Sequence, residues 1–258
     1  MPAQSGSPTV EKESTEFDDW PLDLGPHLTG AEARRVRAFI RSYRRCFAFS
    51  LHDLEGYKGK PIHIQLEDDH PIFRRPYKLS LSEKVGVQTR CQELLAASLI
   101  ELSNGEYACA TVMPSKKDIF GNWTEKRMCG DYRPVNRKTK SDRYPMPTPE
   151  ELFDAVGHAR VFSTLDLRSG YHQLPLIVDD RVKTAFWGVD QDGRDQLYHW
   201  KFLPFGLKNA PAEFQRVMDR VLTGLPFARC YIDDVIIFSS SPQEHVRHLQ
   251  AVFERLRQ

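Results

Sequence analysis

Apolar and polar positions change their period several times along this chain, and each change predicts an element. In TGAEARRVRAFIRSYRRCF (29–47), Val36, Phe39, Ile40 and Tyr43 recur at helical spacing, predicting a helix whose arginines form a wet face. Ser80 with Glu83 is a capping-box signature for a helix running to about Ala97, and Thr148, Pro149 and Glu151 mark another helix start. Between these two helices, YACATVMPSKK and EKRMCGDY read as a hairpin turning around Asp118 to Asn122. Further on, ARVFSTLDL reads as a strand, RSGYHQ as a turn or short helix, and KTAFWGV and QLYHWKFLPF as strands flanking the QDGRD turn. NAPAEFQRVMDRVL is a helix with Asn209 as its expected cap, CYIDDVIIF gives two strand halves, and a last helix starts at Ser241 or Pro242. Residues 50–79 carry several prolines and short alternations such as IHIQL, which suggest an extended connector. Strands and helices mix without the regular alternation of a doubly wound sheet, so the class is α+β with a mainly antiparallel sheet.

Composition narrows this picture in a few places. The first twenty residues are rich in Ser, Pro, Glu and Asp and are expected to be disordered. Five scattered cysteines with no CxxC pair support neither a disulfide framework nor a zinc site, and fit reduced thiols in the cytoplasm or nucleus. No apolar run approaches the roughly 18 residues of a membrane span, and the N-terminus lacks a signal-peptide pattern, so neither membrane nor export is expected. Net charge is +1, which says nothing about nucleic acid. The local run EKRMCGDYRPVNRKTKSDRY (125–144) is basic with tyrosines interleaved, a surface on which a polyanion could dock.

Asp233 and Asp234 stand side by side within an otherwise apolar strand pair, and Asp166 interrupts a second apolar strand. Asp166 and the pair read as buried candidates, with one partner of the pair facing a shared site and the other behind it or at the rim. An isolated aspartate of this kind is most often a turn residue or a satisfied acceptor. Brought together, buried carboxylates repel unless a hard divalent cation neutralises them. Mg²⁺ favours one or two carboxylates plus substrate phosphates, which suits two-metal phosphoryl transfer. The alternating ligand loop of an EF-hand calcium site does not occur.

Several ordered motifs then agree. YIDD (231–234), FSTLDLRSGYHQ (162–173), FLPFGLKNAPAEFQRVMD (202–219), RMCGDYRPVNRKTKSDRYPMP (127–147) and KKD (116–118) resemble blocks of the reverse transcriptases of gypsy-type long-terminal-repeat retrotransposons, from about residue 45 to the C-terminus. The resemblance implies a right-hand polymerase fold; composition and periodicity put a disordered segment at 1–28 and a helix and extended connector at 29–75 before it. The reverse transcriptase domain would span 76–258. Its fingers would lie at about 76–145 and 175–208, and its palm at about 146–174 and 209–258. It implies that Asp166, Asp233 and Asp234 are catalytic carboxylates holding two Mg²⁺ ions, or Mn²⁺, with help from the Leu167 carbonyl. Tyr171 would be the aromatic gate under the incoming sugar, with Phe205, Gly206 and Pro211 shaping the pocket. Lys116 and Arg127 would clamp the triphosphate. The implied partners are an RNA or DNA template with its primer, and deoxynucleoside triphosphates.

The sequence departs from the family in three places. Thr124, Glu125 and Lys126 separate Trp123 from Arg127, which lengthens the fingers hairpin; Cys109-Ala110 occupies a position that is usually small or Ser-Pro; and the sequence stops at Gln258, before the family's primer grip, so a thumb is expected to be absent. Two further readings compete. One is a non-catalytic nucleic-acid-binding or assembly module that retains the fold. The other is a two-metal nuclease, which lacks its usual histidine and acid ligands here.

Overall fold

The computed structural model describes residues 22–26, 28–115, 126–231 and 233–257. The described residues up to Phe47 form one compact unit and those from Ala48 onward form another. In the first, helix α1 (Gly30–Ser42) starts at a reciprocal box: the Thr29 N–H donates to Glu32 Oε2 at 2.8 Å and the Glu32 N–H donates to Thr29 Oγ1 at 3.3 Å. Such a cap contributes about 1 kcal/mol. Val36, Phe39, Ile40 and Tyr43 form the sheltered face of α1, whereas Arg34, Arg35, Arg37 and Arg41 are exposed, as the periodicity predicts.

The second unit begins with an extended segment whose alternation is strict. Ile62, Ile64 and Leu66 are buried while His63 and Gln65 are exposed, and the segment bridges to Leu176 and Thr139. Helix α2 (Leu81–Ala96) follows its Ser80/Glu83 capping box. Next come β1 (Ile100–Leu102), β2 (Thr111–Val112), β3 (Cys129–Gly130), and helices α3 (Arg133–Lys138) and α4 (Pro149–Val156), the last with the expected Thr148 cap. Strand β4 (Val161–Asp166), a 3₁₀ turn (Gly170–Gln173) and the short helix α5 (Val178–Arg181) lead to β5 (Phe186–Val189) and β6 (Asp195–Trp200). The unit closes with α6 (Ala210–Val221), β7 (Ala228–Tyr231), β8 (Asp234–Ser239) and α7 (Pro242–Leu256).

Among the described residues three antiparallel sheets result: β1-β6-β5, the hairpin β2-β3, and β4-β8-β7. In the third sheet burial alternates along each strand even though the run VIIF is apolar throughout. Val235, Ile237 and Ser239 of β8 are buried on the side covered by α7, whereas Phe162, Thr164 and Asp166 of β4 face outward. Burying Val235 and Ile237 completely contributes about 1.5–3 kcal/mol each.

Two expectations need correcting or completing. Asn209 precedes α6 but makes no side-chain cap. Its amide instead donates to the Lys140 carbonyl at 2.7 Å and its oxygen accepts from the Asp142 N–H at 3.1 Å, so tertiary hydrogen bonds take the side chain away from the helix end. The short elements α3, α5 and β1 carry no sequence period long enough to announce them, because tertiary packing rather than propensity holds such pieces. The turn expected at Asp118 to Asn122 lies outside the described residues. Among the described residues no helix is long and apolar enough to cross a membrane.

Candidate active site

The open end of the β4-β8-β7 sheet collects the acids. Asp166 ends β4 and Asp234 begins β8, and the two are direct cross-strand partners at the last position of the ladder. Tyr231 faces Asp234 across the β7-β8 hairpin and Asp233 lies in its turn. The Leu167 N–H donates to the Asp233 carbonyl at 3.1 Å, tying the turn to the residue after Asp166.

The expectation of buried carboxylates is corrected here, and a rim position holds for more than one of the pair. Asp166 and Asp234 are exposed and Asp233 is half-buried, because all three sit where the strands run out rather than within the apolar ladder. Among the described residues no three His, Cys, Asp or Glu side chains gather closely enough to hold an ion by themselves. The acids line a rim, where solvent reaches Asp166 and Asp234.

Asp233 bears the strain of this arrangement. Its pKa is raised, first by desolvation and then by the charges of Asp166 and Asp234. Its Oδ1 is buried without a hydrogen-bond partner. An orphaned acceptor beside two further carboxylates is the donor set that a hard cation completes, with other oxygens from a substrate. The acids therefore fit a divalent ion.

Beside the rim stands a wall of rings. The chain leaves Asp166 through Ser169, whose φ of 49° is left-handed, and enters the 3₁₀ turn; the Gln173 amide closes the loop by donating to the Arg168 carbonyl at 3.0 Å. Gly170 packs so closely on α6 that a Cβ there would lie 2.8 Å from the Phe214 ring. Tyr171, buried, meets Phe205 at 5.0 Å and Phe214 at 5.3 Å between ring centroids. Burial raises the Tyr171 pKa, and the Asp233 charge adds to it, which sets the ring close to the acidic rim.

Phe205 is exposed on the turn before Gly206, whose φ of +91° favours glycine. Asn136 braces that turn: its amide donates to the Gly206 carbonyl at 2.8 Å and its oxygen accepts from the Lys208 N–H at 2.7 Å. Pro211 lies in the first turn of α6, one turn before Phe214. Arg127 is exposed just before β3, its N–H donating to the Pro114 carbonyl at 3.0 Å. A Cβ on Gly206 would come 3.4 Å from Cys129 Sγ, so the hairpin bearing Arg127 flanks the Phe205 turn. Lys116 lies outside the described residues.

The structure thus gathers Asp166, Leu167, Asp233, Asp234, Tyr171 and Phe205 into one neighbourhood, with Gly206 and Pro211 behind it. Sequence reasoning missed Asn136, Phe214 and His172 as members. Gly170 could have signalled Phe214, since a glycine beside a bulky buried ring marks close approach. Asn136 carried no signal beyond its place in RPVN.

Comparison with known proteins gives this neighbourhood a lineage. The chain is 34% identical over 262 aligned residues to the Pol polyprotein of transposon 297 of Drosophila melanogaster, covering 98% of this chain and 23% of that protein. It is 40% identical to the Pol polyprotein of transposon gypsy of the same fly, covering 75% of this chain and 18% of that protein. It therefore spans under a quarter of these relatives' length. The crystal structure of the prototype foamy virus protease-reverse transcriptase (CSH mutant) superposes with a TM-score of 0.76 at 22% identity, covering 97% of this chain and 32% of that one, and shares the right-hand fold of fingers and palm. The family described as reverse transcriptase (RNA-dependent DNA polymerase) matches residues 115–258, a stretch that includes every acid and ring of the site, and the chain belongs to that family.

Proposed function

We propose that this chain is the fingers-and-palm portion of an RNA-directed DNA polymerase, adding deoxynucleotides to a primer 3′-hydroxyl on an RNA or DNA template. The observation that carries the reading is the meeting of Asp166 and Asp234 across β4 and β8 with the orphaned Asp233 oxygen in the adjoining turn.

Asp166, Asp233 and Asp234, with the Leu167 carbonyl, would hold two divalent ions, Mg²⁺ or Mn²⁺, which supply charge neutralisation at the triphosphate and a more acidic primer hydroxyl. Arg127 offers a planar fork of donors, and Lys116 a mobile point charge, to the polyphosphate. Tyr171 lies beneath the sugar, where its ring leaves no room for a 2′-hydroxyl, so deoxynucleotides are preferred. Phe205, Gly206 and Pro211 shape the pocket around the nucleotide. The primer hydroxyl loses its proton to solvent as its oxygen attacks the α-phosphorus in line, the new P–O bond forms as the bridge to the β-phosphate breaks, and pyrophosphate leaves. Positioning and electrostatics do most of this work.

Primer extension on poly(rA)/oligo(dT) with Mg²⁺ or Mn²⁺ tests the reading. Incorporation that Asp233→Asn abolishes supports it. Template binding without any incorporation supports the non-catalytic module instead.

A further inference from the structure

His172 is the one histidine among the described residues whose two ring nitrogens are both buried without a hydrogen-bond partner. Its ring is 4% exposed, stacked face to face on Trp200 at 4.6 Å and 19° and meeting the edge of Phe205 at 4.9 Å and 75°. Trp200 ends β6 and packs on Phe186 of β5 at 5.9 Å, so the stack begins on a sheet. Phe205 in turn meets Tyr171 at 5.0 Å. A continuous line of rings therefore runs Trp200, His172, Phe205, Tyr171, from a rigid strand end to the proposed sugar gate.

We propose that His172 is a positioning residue for nucleotide selection. It acts as a flat neutral ring that transmits the fixed position of Trp200 to Phe205, and through Phe205 holds Tyr171 against the sugar. This rests on the polymerase reading above and adds to it what keeps the gate closed.

The physical argument has three parts. An exposed aromatic such as Phe205, 43% open to solvent, has no packing on its outer side and needs a ring behind it to hold one orientation. Stacked and edge-to-face pairs supply that orientation beyond simple burial. Because neither imidazole nitrogen is used, the contribution of His172 is its shape and its π-face, which a phenyl ring reproduces and a branched aliphatic side chain does not.

The test compares His172→Phe and His172→Leu, both apolar and able to fill the site, in the full chain. With His172→Leu the KM for dTTP rises about fivefold while kcat changes little, and the preference for dTTP over UTP falls by about tenfold. His172→Phe restores both to the wild-type values. Retained discrimination in His172→Leu, or a His172→Phe as impaired as His172→Leu, overturns the proposal, the second because it would show that a ring nitrogen is required. A measurement that needs no polymerisation separates the two readings: ¹⁹F NMR of 4-fluorophenylalanine placed at position 205. The resonance shifts and broadens in His172→Leu but not in His172→Phe. An unchanged signal in His172→Leu overturns the positioning role, whatever the activity assay gives. Absence of incorporation by the wild type counts against the polymerase reading alone.

Discussion

The acidic rim and the aromatic wall lie a few residues apart in sequence, from Asp166 to His172, yet they are built on opposite principles. At the rim, two of the three carboxylates are exposed and the third holds a buried oxygen with no partner. The wall is closed: Tyr171, His172 and Phe214 are buried, and Gly170 is there because nothing larger fits against Phe214. The rim stores unmet charge, which under the proposed function a cation and phosphate would offset. The wall owes its shape to packing within the protein. A site of this kind places its recognition in packing and its reactivity in electrostatics, which lets either be damaged separately.

The sharpest way to break the comparison is Asp233→Asn. Incorporation falls by three orders of magnitude or so, a loss of about 4 kcal/mol in transition-state stabilisation. Stability moves the other way. The folded pKa of Asp233 is raised, so its ionised form weakens the fold at neutral pH and the penalty fades as pH falls. The neutral amide removes it, and Tm rises by about 2 °C in a thermal melt without metal. A lowered Tm would mean that the rim is not under charge strain.

Gly170→Ala attacks the wall. Its methyl meets Phe214 at 2.8 Å, and forcing the ring aside costs about 1–3 kcal/mol, read as a lower midpoint in urea unfolding. The effect on KM for the nucleotide exceeds that on kcat, the reverse of the aspartate variant.

Acid sharpens the contrast further. Burial lowers the His172 pKa from its ordinary 6.5 to about 4, with the Arg90 charge adding to it. The folded form therefore resists a proton that the unfolded chain accepts, and stability drops as pH falls from about 6.5 toward 4, by up to about 1.4 kcal/mol per pH unit. His172→Phe flattens this limb in melts followed across that range. A limb that persists unchanged would assign the acid sensitivity to another group.

The smallest effect is at the brace. Asn136→Ala removes two hydrogen bonds to the Gly206 turn and costs about 1–2 kcal/mol of stability. Its activity defect lies in KM, measurable by steady-state primer extension.

Much of this was legible in the chain itself. The capping boxes at Thr29, Ser80 and Thr148 appear where Ser or Thr precedes Glu by three residues, because that motif satisfies its own backbone donors and needs no tertiary partner. VFSTLDL and VIIF announced strands, but with Phe162 exposed and Ser239 buried they did not say which face of the third sheet meets α7. The motif that holds Asp233 and Asp234 named the acids, though not their exposure. Asn209 shows the limit. By local rules it caps α6, but residues 140–142, far away in sequence, take its side chain first.

By itself the sequence determined the periods, the caps, the glycines and the identity of the three acids, since each follows from chemistry within a few neighbouring residues. Only the tertiary structure decided that the acids would line an open rim, that Asn136 would brace the Gly206 turn, and that His172 would lie between Trp200 and Phe205. Those outcomes depend on which side chains meet from segments tens of residues apart. Local patterning carries no record of a neighbour's charge or ring until the sheets pair and bring it within contact distance.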